Sequence, residues 1–197
     1  GKQLRAIRNI SIDLYKDETL AIVGESGSGK SVFTKTFTGM LESNGKVTNG
    51  TAMFEGKDLY ANKTDTDWEA IRGKKIATIF QDPMTSLNPI IPIGKQITEV
   101  IEKHQGKSFA EAKEEIKLME EVGIYNAKGR FDEYPFMYSG GMRQRIVIAI
   151  ALACHPDILI CDEPTTALDV TIQAQIIRLI KKLQKQYGYT IIFITHD

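Results

Sequence analysis

Residues 19–23 form a short apolar run that ends abruptly in Gly24-Glu-Ser-Gly-Ser-Gly29-Lys30-Ser31. A run of that length bounded by a turn signal predicts a buried strand. A helix is expected to open at Lys30 and to stop near Gly39, which suits a C′ position. Upstream, residues 4–14 mostly alternate between apolar and polar and predict one or two half-buried strands, followed by a turn at 15–18. Residues 45–55 read as strand again, with Asn49-Gly50 as a turn signal. Residues 58–72 are polar and loop-like around a short helix at 68–71, where Trp68 is expected as a local packing anchor. Residues 75–80 are a further β-rich run ending at Gln81.

Beyond Gln81 the pattern changes. Prolines at 83, 89 and 92 interrupt the chain, and helical periodicity follows at 93–104 and 108–122. The second of these opens with Ser108-Phe-Ala-Glu111, a capping-box pattern. A long helix at 140–153, a buried strand at 158–162, a helix at 170–187 closed by Gly188 and a β-branched strand at 190–195 complete the chain. Strands alternating with helices imply a parallel sheet. The expected organisation is an α/β core of residues 1–82 and 139–197, with a largely helical lobe of 83–138 inserted into it. There is no internal repeat and no low-complexity segment.

Composition narrows the classes. The 197 residues suffice for one substantial core with a smaller lobe, and 42% hydrophobic with 25% charged is ordinary for a globular protein. Lys plus Arg and Asp plus Glu both number 25, so the formal net charge is zero. That balance argues against nucleic acid as the main partner. No apolar run approaches the ~20 residues needed to span a bilayer, and the start carries no signal-peptide pattern. A cytosolic setting is therefore expected. Cys154 and Cys161 stand in apolar surroundings without metal-type spacing, which favours two buried reduced thiols over a disulfide. The first residue is Gly1 and the last are His196-Asp197, as expected of a fragment.

The chemistry begins at residues 24–31, which match the P-loop pattern G-x-x-x-x-G-K-[ST] at every fixed position. Glycines belong there because the backbone N–H groups must wrap a phosphate, and side chains would block that approach. The cradle comprises Gly24, Glu25, Ser26, Gly27, Ser28, Gly29, Lys30, Ser31 and Val32, with the partial positive charge of the helix N-terminus behind it. Lys30 would reach the β- and γ-phosphates of a nucleoside triphosphate, and the Ser31 hydroxyl would hold Mg²⁺. Residues 158–163 are an apolar strand ending in Asp162-Glu163. Asp162 would serve the Mg²⁺ shell, directly or through water, and Glu163 would polarise the attacking water. Ser139-Gly140-Gly141 would cap and open the helix at 140–153, a second anion-binding terminus that one triphosphate does not need.

Tyr138-Ser139-Gly140-Gly141-Met-Arg-Gln-Arg145, set between the P-loop and Asp162-Glu163, resembles the signature of the nucleotide-binding subunits of ABC (ATP-binding cassette) transporters. Tyr138 stands where that signature usually has leucine. The resemblance covers essentially the whole chain and implies a P-loop NTPase core with a parallel sheet, an N-terminal antiparallel β region and an inserted helical subdomain. It implies ATP and Mg²⁺ as cofactors. It also implies a second ATPase subunit, identical or homologous, in a head-to-tail dimer where Ser139-Gly140-Gly141 of one subunit caps the γ-phosphate on the P-loop of the other. Gln81 looks like the Q-loop glutamine, which contacts Mg²⁺ or the lytic water and links to integral membrane transporter subunits. Asp169, in Ala167-Leu168-Asp169, looks like the D-loop, and His196 like the switch histidine that touches the γ-phosphate. His104 and His155 have no such context and read as structural.

A finer resemblance lies in residues 80–89, 141–145 and 163–172, which look like the bacterial oligopeptide/dipeptide/nickel importer branch. It implies a peripheral subunit on the cytoplasmic face of the cell membrane, served indirectly by an extracytoplasmic substrate-binding protein. Oligopeptides are the first expectation, dipeptides or nickel the next. Within the family adenine stacks on an aromatic shortly before the position of Gly1, and the chain continues well past the switch histidine. Both features are expected to lie beyond these residues. The rival readings fit less well. A soluble ABC-type ATPase of DNA repair would carry a long coiled-coil insertion, and one acting on ribosomes a second cassette. A module holding ATP without hydrolysis would not need Lys30, Asp162, Glu163 and His196 together, and a P-loop kinase has no use for Ser139-Gly140-Gly141.

Overall fold

The computed structural model describes residues 4–196. Its centre is a four-stranded parallel sheet built from β1 (Thr19–Val23), β4 (Ile76–Ile79), β5 (Ile158–Asp162) and β6 (Thr190–Thr195), in the order β1-β6-β5-β4. The other two strands, β2 (Met53–Phe54) and β3 (Lys57–Asp58), pair as a separate antiparallel hairpin. The helices are α1 (Lys30–Thr36), α2 (Asp65–Glu69), α3 (Pro83–Ser86), α4 (Ile93–Gln105), α5 (Phe109–Glu114), α6 (Leu118–Glu121), α7 (Gly140–Leu152) and α8 (Val170–Tyr187).

Register decides where the chemistry can sit. Val23 pairs with Thr195, Ile194 with Asp162, and Cys161 with Ile79. All four strands therefore end at one edge, and the segments that leave them emerge side by side. In open parallel sheets that carboxyl edge is where ligands bind.

β4, β5 and β6 are mainly Ile, Leu and Ala, and most of their residues are buried with the rest half-buried, as strands covered on both faces should be. β1, expected as a buried strand, lies at the end of the strand order and has no buried residue. One face of the sheet packs on Leu59, Phe37 and Trp68. The other meets α7, whose Ile146, Val147, Ile148, Ala149 and Leu152 are all buried. A helix apolar all round is a buried helix, and α7 sits between the sheet and the helices of residues 93–122, so that one core runs from Leu159 to Ile97 and Met119. α8 is amphipathic: Ile176, Leu179, Ile180 and Leu183 face the core at helical spacing. Side-chain caps fix the entries, with a full capping box at Ser108 and Glu111 and with Ser139 and Asp169 capping α7 and α8. Gly188 ends α8 in the left-handed conformation. No helix among the described residues is long and apolar enough to cross a membrane.

The strands expected over residues 4–14 are absent. Leu4, Ile10 and Ile12 are exposed there. Alternation makes a strand only where a neighbouring ladder and a buried face exist; the strand expected at 45–55 likewise shrinks to the two residues of β2. The antiparallel region is confined to β2 and β3. The short helix expected at 68–71 begins earlier, at Asp65, because Thr64 and Asp67 form a capping box. The helical stretch at 108–122 divides into α5, one turn of 3₁₀-helix at Glu115–Lys117 and α6, where Ile116, Leu118 and Met119 are all buried. A short helix, α3, follows Gln81 where only proline-broken chain was expected. Both thiols are free, Cys161 buried and Cys154 half-buried, and burial pushes both above the ordinary thiol range.

Candidate functional site

β1 runs straight into the 24–31 loop, which is tied to β6 by the Gly24 N–H donating to the Thr195 carbonyl at 3.4 Å. Gly29 precedes α1 at φ +98°, a conformation that only glycine adopts easily. A Cβ there would also lie 3.2 Å from the Ala6 carbonyl oxygen. Ser26, Gly27 and Ser28 are exposed at the loop tip and Val32 is part-exposed on α1.

Lys30, the first residue of α1, is buried. Its Nζ donates to the Gly24 and Glu25 carbonyls, both at 2.6 Å, and lies 3.8 Å from Glu163 Oε1. The next residue, Ser31, donates its hydroxyl to Asp162 Oδ1 at 2.9 Å. Because β6 lies between β1 and β5, His196 leaves the sheet between the two loops, and its Nδ1 is 3.5 Å from Glu163 Oε2. Lys30, Ser31, Asp162, Glu163 and His196 thus form one contiguous cluster at the carboxyl edge.

Within it, burial pushes the Asp162 carboxyl above its ordinary range; the Ser31 hydroxyl bond opposes this and the neighbouring Glu163 charge adds to it. A cation at that carboxylate would reverse the balance. Glu163 has φ +47°, a strained conformation for a non-glycine residue, worth about 1–2 kcal/mol. Its N–H donates to the Ile194 carbonyl at 3.0 Å.

The remaining expected residues fall elsewhere. Ser139, Gly140 and Gly141 open α7 against the start of α8: a Cβ on Gly141 would lie 2.7 Å from Ile172 Cγ2, and one on Gly140 3.6 Å from Leu168 Cδ2. Asp169 accepts from the Ile172 N–H at 3.0 Å in the same place. These four are grouped with one another, not with the Lys30 loop. Gln81 is exposed two residues past β4, on the same sheet edge but outside the hydrogen bonds that tie the cluster together. Sequence reasoning missed Thr166, whose hydroxyl donates to Glu163 Oε2 at 3.3 Å, and Gln144, whose amide donates to the Pro164 carbonyl. Gln144 carried a signal, being an uncharged polar residue just ahead of the long apolar run of α7.

The donor set fits Mg²⁺ in a limited way. Ser31 and Asp162 present two hard oxygens to each other, and no group of three or more His, Cys, Asp or Glu among the described residues could hold a metal by itself. A cation there must complete its shell from phosphate and water, which is how Mg²⁺ is commonly held at nucleotide sites.

A sequence profile of the family described as ABC transporter matches residues 7–166. The chain is 69% identical to the oligopeptide transport ATP-binding protein AmiE of Streptococcus pneumoniae, over all of this chain and 56% of that protein. It is 56% identical to the dipeptide transport ATP-binding protein DppD of Lactococcus lactis subsp. cremoris, over 98% of this chain and 56% of that one. The chain therefore spans little more than half the length of these relatives. Among solved structures it is similar to the dimeric, post-hydrolysis ATP-binding cassette MJ0796 bound to ADP and Pi. That match has a TM-score of 0.80 at 29% identity, covering 98% of this chain and 80% of that one.

Proposed function

The chain belongs to the ABC transporter family, and from that premise we propose that its full-length protein binds and hydrolyses ATP to power import of oligopeptides. The observation that carries the reading is the contiguous cluster of Lys30, Ser31, Asp162, Glu163 and His196 at the carboxyl edge of the sheet. In it a phosphate-reaching cation, a hydroxyl–carboxylate pair and a second carboxylate converge within hydrogen-bond or ion-pair distance.

With ATP seated in the 24–32 loop, Lys30 exchanges the Gly24 and Glu25 carbonyls for β- and γ-phosphate oxygens. That exchange releases Glu163 from its contact with Lys30. Ser31 and Asp162 would hold Mg²⁺, which supplies charge neutralisation for the phosphates when bound. Glu163 accepts a proton from the attacking water, and His196, beside Glu163 Oε2, faces the γ-phosphate. Ser139, Gly140, Gly141 and Asp169 lie away from this cluster, which suits a role toward the nucleotide of a second ATPase subunit in a head-to-tail dimer. Gln81 and the helical lobe of residues 83–138 would pass dimer closure to integral membrane subunits, placing the protein peripherally on the cytoplasmic face. Oligopeptides are favoured by the 69% identity to an oligopeptide transport protein; dipeptides are the second reading, supported by the 56% relative.

The test is uptake by cells carrying Glu163→Gln in the full-length gene, with labelled oligopeptide, dipeptide and nickel supplied side by side. Selective loss of oligopeptide entry is expected. Unchanged uptake of all three would overturn the importer reading.

A further inference from the structure

α7 carries three consecutive polar residues, and each reaches a different wall. Arg143 Nε donates to the Pro135 carbonyl at 2.7 Å, and Arg145 Nη1 to the Val122 carbonyl at 2.8 Å. Between them Gln144 Nε2 donates to the Pro164 carbonyl at 2.5 Å. Successive residues on a helix point about 100° apart, so only the middle one is aimed at the segment that follows β5 and carries Glu163.

Gln144 is fully buried, and its Oε1 has no hydrogen-bond partner among the described residues. The amide's orientation is settled by chemistry: a carbonyl oxygen can only accept, so the NH₂ end must face Pro164. A buried amide with its acceptor unmet is a net liability for packing. The flanking Ile146, Val147 and Ile148 show that an apolar side chain would suit this interior. The amide's use is therefore the bond it makes.

That bond falls on the residue next to Glu163. Glu163 sits at φ +47°, and such a conformation persists only where its surroundings over-determine it. The Ile194 carbonyl holds its N–H from β6, and the Thr166 N–H donates to its carbonyl at 3.3 Å. Gln144 supplies the anchor from the opposite layer, across the peptide that follows it.

We propose that Gln144 is a positioning residue for Glu163. Its buried amide fixes the Pro164 carbonyl and so holds the Glu163 carboxylate in place, tying it to the helix whose first turn carries Ser139, Gly140 and Gly141. The assignment rests on Glu163 acting as the base toward water, and it adds a mechanical link: movement of the first turn of α7 moves the carboxylate of the same subunit.

The experiment uses the full-length protein in its assembled transporter and compares Gln144→Met, Glu163→Gln and the double variant. Methionine is close to glutamine in volume and lacks the donor. Misplacing a catalytic group by about an ångström costs up to ~100-fold. Gln144→Met should therefore lower kcat by roughly 10- to 100-fold, with KM for ATP unchanged. The double variant should be no slower than Glu163→Gln alone. Wild-type kcat for Gln144→Met beside an inactive Glu163→Gln overturns the positioning role and leaves the base intact. A loss of kcat that is accompanied by an equal rise in KM, or that multiplies with Glu163→Gln, shows a merely structural role. Normal turnover by Glu163→Gln removes the base and the positioning role together. Should Gln144→Met not fold, Gln144→Asn, with its amide one methylene short, is judged by the same criteria.

Discussion

Replacing Lys30 with alanine perturbs both the stability of the fold and the binding of nucleotide, and the two effects can be separated. Lys30 Nζ holds the Gly24 and Glu25 carbonyls and lies 3.8 Å from Glu163, with side-chain exposures of only 7% and 14%. At an effective dielectric near 20 the gross attraction across that distance is about 4 kcal/mol. Desolvation of the two charges offsets much of it. Each hydrogen bond to a charged group adds about 1.5–3 kcal/mol, but the freed carbonyls lie in an exposed loop and are rehydrated. The net loss should be about 2–3 kcal/mol, seen as a lower urea midpoint of nucleotide-free protein. Loss of the phosphate contacts should cost a further ~2–4 kcal/mol of binding, roughly 30- to 700-fold in Kd for ATP by titration calorimetry. A variant with unchanged Kd would refute the phosphate role, and one with an unchanged urea midpoint would refute the role of Lys30 in tying the loop together.

Two further predictions follow from packing and charge. Gly141→Ala places its Cβ 2.7 Å from Ile172 Cγ2 and should lose about 1–3 kcal/mol, a fall of roughly 2–12 °C in melting temperature; an unchanged melting curve would show that α7 and α8 are not so closely apposed. His104 is held below its ordinary value of 6.5 by burial and then by Lys103, with Glu69 opposing and Lys74 adding to the lowering. Its folded form resists the proton that the unfolded chain accepts. Its contribution is therefore complete above the ordinary value and is lost as pH falls from there through the lowered one. Urea midpoints measured from about pH 7.5 to 5 should decline in the parent and decline less in His104→Gln; identical slopes would contradict this.

Much of the architecture is legible in the chain, for identifiable reasons. β4, β5 and β6 are covered on both faces, so their apolar runs stand out without any partner being known. The 24–31 loop is legible because glycine spacing and an adjacent Lys-Ser answer to one ligand chemistry. Residues 4–14 mislead because alternation records a preference that a missing ladder leaves unmet. The strained backbone of Glu163 has no local signature, since its N–H is held by the Ile194 carbonyl of β6. The separation of Ser139, Gly140 and Gly141 from the Lys30 cluster is likewise a matter of where α7 enters, which periodicity does not report.

The measurement closest to the central claim is phosphate release by the full-length protein carrying Glu163→Gln, with ATP affinity measured on the same preparation. The substitution keeps the shape of a side chain that touches Lys30, Thr166 and His196 and removes its ability to take a proton. ATP should bind within about threefold of the parent while phosphate release falls at least ~100-fold, the range that positioned acid–base groups supply. Phosphate release at the parental rate would contradict the account.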